Sequence, residues 1–392
     1  GARELHPSAL ERGPRAARRD AVTTLMACGD VGVKRPDCLS MFAGCAEILK
    51  QGDLCFAQLE TTISERGAAV PNAKLAMRAP PAMASAVKTA GIDVVSFAGN
   101  HCLDYGYDAF ADTLQHAADA GLAVCGAGKD LADARRPALV DAAGSKVAVF
   151  AGSSILPEGY AAETERAGCA PLRAHTAYEQ IEPDQPGTAA RIRTFADRDD
   201  LEALLQGIRA AREHAHIVLL SVHWGIHMVP ASIADYQIEI AHRAIDAGAD
   251  AILGHHPHLL KGVEFYRGRP IFYSLGNFAI EQPHVWNPAI MRSASFKHLV
   301  SLNPQWTLDS TYMLPAVTRM TGIAKLVGNG GDEWQVRFIP AWIGDDSVPS
   351  VLHSNDSRFA EVAAFISSST EQAGFTTRVF VDGDELILRP GQ

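Results

Sequence analysis

Short apolar runs recur through the first two-thirds of the chain, and the strongest empty into a small or polar residue with chemistry to offer. The run at 22–28 leads into Gly29-Asp30, 53–59 into Glu60, and 93–98 into Gly99-Asn100-His101. Further on, 216–222 delivers His223-Trp224-Gly225, and 249–253 delivers Gly254-His255-His256-Pro257-His258. Runs at 122–125 and 146–151 have the same strand-like character. Helical spacing fills the intervals at 41–51, 83–90, 103–120, 201–213 and 233–248. The alternation predicts an α/β fold. Gly254 is expected to let the chain turn sharply as it leaves the sheet.

The pattern changes twice. Residues 155–199 are irregular, rich in Pro, Gly and charge, and read as an extended insertion over the site, because long irregular loops in compact domains are commonly functional. After the histidine cluster, 262–266 and 270–274 form a predicted hairpin through Arg267-Gly268-Arg269, closed by 275–278. Strand-like alternation returns at 323–343 and 377–388, around a helix at 358–373. No repeat of solenoid period and no break in composition is present. The expected organisation is a short flexible arm, 1–20, and one elaborated domain over 21–392.

Composition narrows the classes. The 392 residues are 47% hydrophobic and 20% charged, which suits a globular protein with a sizeable core. A net charge of -10 with no basic stripe argues against a nucleic-acid partner. No apolar run reaches membrane-spanning length and no signal-peptide core is visible at the start. The seven cysteines are odd in number and contain no Cys-x-x-Cys, so reduced, buried thiols in a cytoplasmic protein are the expectation. A secreted form lacking its signal would look the same.

The strand ends carry the chemistry. Asp30 alone is an ordinary turn aspartate, and a histidine-rich loop alone can be a solvated surface. Their repeated placement just past strands, where open sheets hold ligands, changes the reading. Carboxylate, amide and imidazole donors together suit two divalent ions of Mn, Fe or Zn. Cys102 beside His101 reads as packing under its loop, and His214, His242 and His353 lack motif context.

The order Gly-Asp, Leu-Glu, Asn-His, His-Trp-Gly, His-Pro-His and Tyr-Ser-Leu-Gly-Asn-Phe resembles the CapA family of poly-γ-glutamate capsule proteins, a branch of the calcineurin-like metallophosphoesterases. The resemblance spans about residues 22–280. It implies a four-layer αββα sandwich around a dinuclear centre. Asp30 would bind one metal and Glu60 would bridge the pair. Asn100, His223 and His256 would hold the second metal, and His258 would return to the first. His101 would contact substrate or transfer a proton, with Asp104 as its partner.

Several positions depart from the pattern. Gly32 stands where the superfamily's first motif has histidine, so one metal loses an imidazole. Gln58 changes the neighbour of Glu60. His227 replaces a usual glutamate and His255 a usual small residue; these two would shape substrate choice or act as acid and base, or else face solvent. Trp224 and Tyr273 read first as packing, with Trp224 kept as a possible substrate contact. Asn277 would contact substrate or cap the Gly276 turn.

Three functions follow from the resemblance. One is metal-dependent hydrolysis of an amide or peptide-like bond in a peptide or γ-glutamyl polymer. A second is epimerisation at a peptide Cα, as in a CapA-like branch acting on lasso peptides, with two histidines exchanging the proton. A third is non-catalytic polymer export or attachment.

Overall fold

The computed structural model describes residues 22–281, 287–308, 312–331 and 334–391. The expected arm, 1–20, and His284 lie outside the described residues. Two sheets form the centre. In the first, the strands Thr23–Gly32, Leu54–Leu59, Val94–Ser96 and Ala123–Cys125 lie side by side and parallel. Met320–Gly328, Gln335–Ile343, Glu385–Arg389 and Arg378–Asp382 extend this sheet antiparallel on the other side. In the second sheet, Ser145–Ser153, Ile217–His223, Ala251–His255 and Arg269–Phe272 are parallel, flanked by Ala138–Ala142 and Val263–Tyr266.

Side-chain alternation decides the layers. Along Ile217–His223, Ile217 and Leu219 join the core between the sheets, whereas Val218, Leu220 and Val222 face outward. Val147 and Val149 point inward while Ala148 and Phe150 point outward. Strands buried on both faces read as continuous apolar runs, which is why these segments were conspicuous in the sequence. The outward face is covered by the helices Arg198–Arg212 and Asp235–Ala247, through Leu201, Leu205, Ile208, Ile240 and Ala244. The helices Ala82–Thr89, Gly106–Asp119 and Ser357–Gln372 bury Met83, Val87, Phe110, Phe359 and Val362 against the first sheet. The result is the αββα sandwich that the resemblance implied.

Three local expectations need correction. The helix expected at 41–51 is a 3-10 turn, Cys38–Phe42, followed by one short turn of helix, Ala46–Leu49. The segment 155–199 is not structureless: Ala174–Glu179 and Arg191–Ala196 pair as an antiparallel hairpin. Most of that hairpin is exposed on both faces, so it lacks the one-sided alternation that announces a strand. Gly254, third, does not turn the chain but lies inside Ala251–His255. A Cβ there would sit 2.1 Å from the Tyr273 carbonyl oxygen, so the glycine permits close approach. No helix among the described residues is long and apolar enough to cross a membrane.

Candidate metal centre

The C-terminal ends of both parallel strand sets meet at one place. Asp30 lies near the end of Thr23–Gly32, and Glu60 directly follows Leu54–Leu59. His223 and His255 are the last residues of their strands, in register with each other. Asn277 opposes Asp30 in a parallel bridge, which the tight contact of Gly29 with Gly276 makes possible; a Cβ on Gly29 would lie 1.9 Å from the Gly276 oxygen. The turn that leaves the second sheet is made by histidines. His256 has φ 93° and His258 φ 58°, left-handed values uncommon outside glycine. Such strain persists where the surroundings fix it, and here it aims both rings at Asp30 and His223.

Asp30, Glu60 and His258 offer donor atoms that all lie within 4.8 Å of one another. His255 Nδ1 is 3.3 Å from Asp30 Oδ1, and His258 Nδ1 is 3.3 Å from Asp30 Oδ2. On the other side, His223 Nε2 is 3.5 Å from Glu60 Oε1 and 2.7 Å from Asn100 Oδ1. The His256 ring centre is 4.9 Å from that of His223. The structure therefore brings together all six residues expected as ligands, and adds His255.

Electrostatics tests whether cations fit. Both oxygens of Asp30 and of Glu60, Nδ1 of His223 and His256, and both ring nitrogens of His255 are buried without a well-formed hydrogen bond. Buried polar groups are nearly always paired, so this concentration of exceptions calls for a ligand. Burial opposes ionisation of Asp30, but the His255 and His258 imidazoles outweigh it and hold the carboxyl well below its ordinary range. Glu60 goes the other way: burial, then the charges of Asp30 and Asp104, push it well up. Burial also drives His223 and His256 well down, toward neutral rings with lone pairs to donate. A divalent cation would relieve each of these, favouring the carboxylate and the neutral imidazole. The residues present fit the metals.

His101 stands at the edge. Its Nδ1–H donates to Asp104 Oδ2 at 2.6 Å, and its Nε2 is 3.8 Å from Glu60 Oε1. Asp104 is buried and also accepts from the Met77 N–H at 2.7 Å and the Tyr160 hydroxyl at 3.0 Å. Tyr160 comes from the irregular 155–199 segment. Nothing in its local sequence marked it, because the contact spans 56 residues.

The substrate-side expectations fare differently. His227 stacks on His256 at 5.1 Å and meets His258 edge-on at 5.1 Å. It lies at the centre without being bonded into it. Lys261 pins its loop: buried, it donates to the carbonyls of Val229 and Ser232, and burial lowers its ammonium to about 7. That lysine was not foreseen. His255 is corrected: fully buried beside Asp30, it faces neither solvent nor substrate. Trp224 is corrected too, being fully buried, stacked on Tyr273 and donating from Nε1 to the Tyr273 carbonyl. Asn277 is buried, and its Oδ1 lies 2.7 Å from His258 Nδ1; it orients that ring rather than contacting substrate. Cys102 is buried, like the other six thiols.

Comparison with known proteins agrees with the family resemblance read in the sequence. Residues 24–282 match the family model described as bacterial capsule synthesis protein PGA_cap. The chain is 32% identical over 275 residues to the Mycobacterium tuberculosis protein named probable polyglutamine synthesis accessory protein, covering 68% of this chain and 67% of that one. It is 32% identical over 197 residues to the PGA biosynthesis protein CapA of Bacillus subtilis, covering 50% of this chain and 44% of that one. Among solved structures, the calcineurin-like phosphoesterase YfkN of Bacillus subtilis aligns with 90% of this chain and 97% of its own at a TM-score of 0.36 and 13% identity, a likeness that says nothing of activity.

Proposed function

The chain belongs to the bacterial capsule synthesis protein family matched by its residues 24–282, and from that premise we propose that it is a metal-dependent hydrolase of an amide bond in a peptide-like, γ-glutamyl substrate. The observation that carries the reading is the buried cluster in which the Asp30 and Glu60 oxygens and several imidazole nitrogens lack a well-formed hydrogen bond, with the His101–Asp104 pair beside it. Relatives named for PGA biosynthesis and polyglutamine synthesis support a polymer of glutamyl-type residues as the substrate class.

In this reading Asp30, His255 and His258 would hold one ion, Asn100, His223 and His256 would hold the other, and Glu60 would serve the centre with them. His255 then makes good the imidazole that Gly32 does not supply. When bound, divalent ions of this kind polarise a carbonyl and lower the pKa of water to about 7. The chain's own groups do the rest. Asp104 accepts the Nδ1–H of His101 and so leaves Nε2 as the basic atom, which takes the proton released by the attacking water and passes it to the departing amine. Met77 and Tyr160 keep Asp104 oriented, which ties His101 to a single direction.

His227 favours a second reading. It is an imidazole at the centre outside both ligand sets. With His101 it would make a pair able to remove and return a Cα proton, which is epimerisation. One experiment separates the two: mass spectrometry of γ-glutamyl oligomers and candidate peptides incubated with metal-loaded protein in D2O. Shortened products are expected. An intact product carrying one deuterium at carbon would replace hydrolysis with epimerisation, and neither change would favour a non-catalytic role.

A further inference from the structure

The segments that flank Asp104 and its partner Met77 border a cavity of about 360 Å³ lined by Lys34, Ser64, Glu65, Arg78 and Tyr105, among others. Its walls are continuations of the segments that carry the metal centre. Lys34 lies four residues past Asp30, Ser64 four past Glu60, and Tyr105 directly after Asp104. Arg78 follows Met77, whose N–H holds Asp104.

Arg78 is fixed in an unusual way. Its guanidinium lies 3.6 Å from the centre of the Tyr105 ring, and Nη2 donates to the carbonyls of Arg66 at 2.6 Å and Gly67 at 2.9 Å. No carboxylate neutralises it among the ion pairs of the described residues, and its Nε is buried without a partner. The neighbouring Arg66, by contrast, is taken up by Asp112 and Asp108. Lys34 adds a second cation at the wall, against one lining carboxylate, Glu65, and near Glu281, which is itself paired with Arg35. A guanidinium already held by carbonyls and a ring loses little freedom on binding and keeps its charge, which suits a carboxylate. The chain as a whole is anionic and would repel an acidic polymer, so a local cationic cavity on the segments that carry the centre has a clear use.

We propose that the Arg78–Lys34 cavity is a carboxylate-binding subsite of the catalytic centre, seating an acidic group of the substrate beside the bond acted on; this rests on the hydrolase reading above. The test is calorimetric titration of metal-loaded protein with three probes: γ-linked triglutamate, its full carboxamide analogue, and an analogue keeping only the terminal carboxylate. The wild type is expected to prefer the triglutamate to the carboxamide by about tenfold or more, the strength of a hydrogen-bonded charge pair. Arg78→Gln and Lys34→Gln should each erode that preference while leaving carboxamide binding unchanged. Lys34 is exposed and holds no loop, so its variant keeps the test valid if Arg78→Gln disturbs the Arg66–Gly67 loop. The single-carboxylate probe assigns the contact: full affinity means the terminal group is read, reduced affinity means the side carboxylates are. Equal binding of triglutamate and carboxamide, no binding of either, or a preference that survives both variants would overturn the subsite. A variant-sensitive preference without cleavage would retain the subsite and remove the hydrolase reading.

Discussion

Two buried ionic clusters lie at opposite ends of the parallel strands, one at the N-terminal end of Ala251–His255 in the second sheet and one where the C-terminal ends of both strand sets meet, and they are built on opposite principles. At the N-terminal end, Asp250 precedes Ala251–His255. Its Oδ2 accepts from Arg212 Nη1 at 2.7 Å and the Val218 N–H at 2.9 Å, and its Oδ1 lies 3.3 Å from both Arg212 and Arg269. At the C-terminal end, Asp30 and Glu60 are equally buried, yet among the described residues no arginine or lysine pairs with them and their oxygens lack a well-formed hydrogen bond. A buried charge is tolerated when paired, and an unpaired one is costly. The first cluster is closed by the chain itself. The second is left open at the strand ends where ligands bind, and that is what marks it as functional.

Asp250→Ala should give the largest effect. It takes the carboxylate from two buried arginines, and losing one partner of such a pair costs about 3–5 kcal/mol. A marked fall in Tm, with metal stoichiometry unchanged in the folded fraction, is expected by calorimetry and elemental analysis. Asp30→Asn should do the reverse: bound metal falls, while the metal-free protein keeps its stability within about 1 kcal/mol. A large Tm loss in metal-free Asp30→Asn would erase the contrast between the clusters.

His101→Ala sharpens it differently. Turnover should fall by about 10²–10⁴-fold, the usual worth of a general acid or base, with metal content intact. Loss of metal would instead make His101 a ligand.

The open cluster should also set the acid limb of stability. His223 and His256 have folded pKa values below their ordinary 6.5, so the unfolded chain binds more protons beneath that pH. Their neutral burial is without penalty above pH 6.5 and costs increasingly as pH falls below it, by up to about 1.4 kcal/mol per pH unit for each. Glu60, raised when folded, works the other way as pH climbs above its ordinary value. Metal-free protein should therefore lose Tm between pH 6.5 and 5, and His256→Ala should flatten that slope. A slope unchanged by the variant would place the proton uptake elsewhere.

Tyr160→Phe should be the mildest change. It removes one hydrogen bond to Asp104, worth about 1 kcal/mol, and should slow turnover several-fold without altering metal content or fold. No change in rate would mean that Met77 alone suffices to orient Asp104.

Much of this was legible in the chain. Doubly buried parallel strands are continuous apolar runs, so 216–222 and 249–253 stood out, and the side chains just past them are the ones that meet at the candidate centre. The hairpin Ala174–Glu179 with Arg191–Ala196 was not legible, because a ribbon exposed on both faces has no buried face to set an alternation. The same limit explains the corrections inside the site. His255 and His256 are adjacent and chemically identical in sequence, yet strand register buries His255 beside Asp30, and a left-handed turn sends His256 toward His223.

The sequence by itself determined the layered α/β plan and the set of donors, since periodicity and residue type are local properties. Only the tertiary structure decided which donors face one another, that Asp250 is paired while Asp30 is open, and that Tyr160 reaches Asp104 and Lys261 pins the His227 loop from distant segments. Those are outcomes of packing two sheets face to face, and contacts between residues far apart in the chain leave no spacing to read.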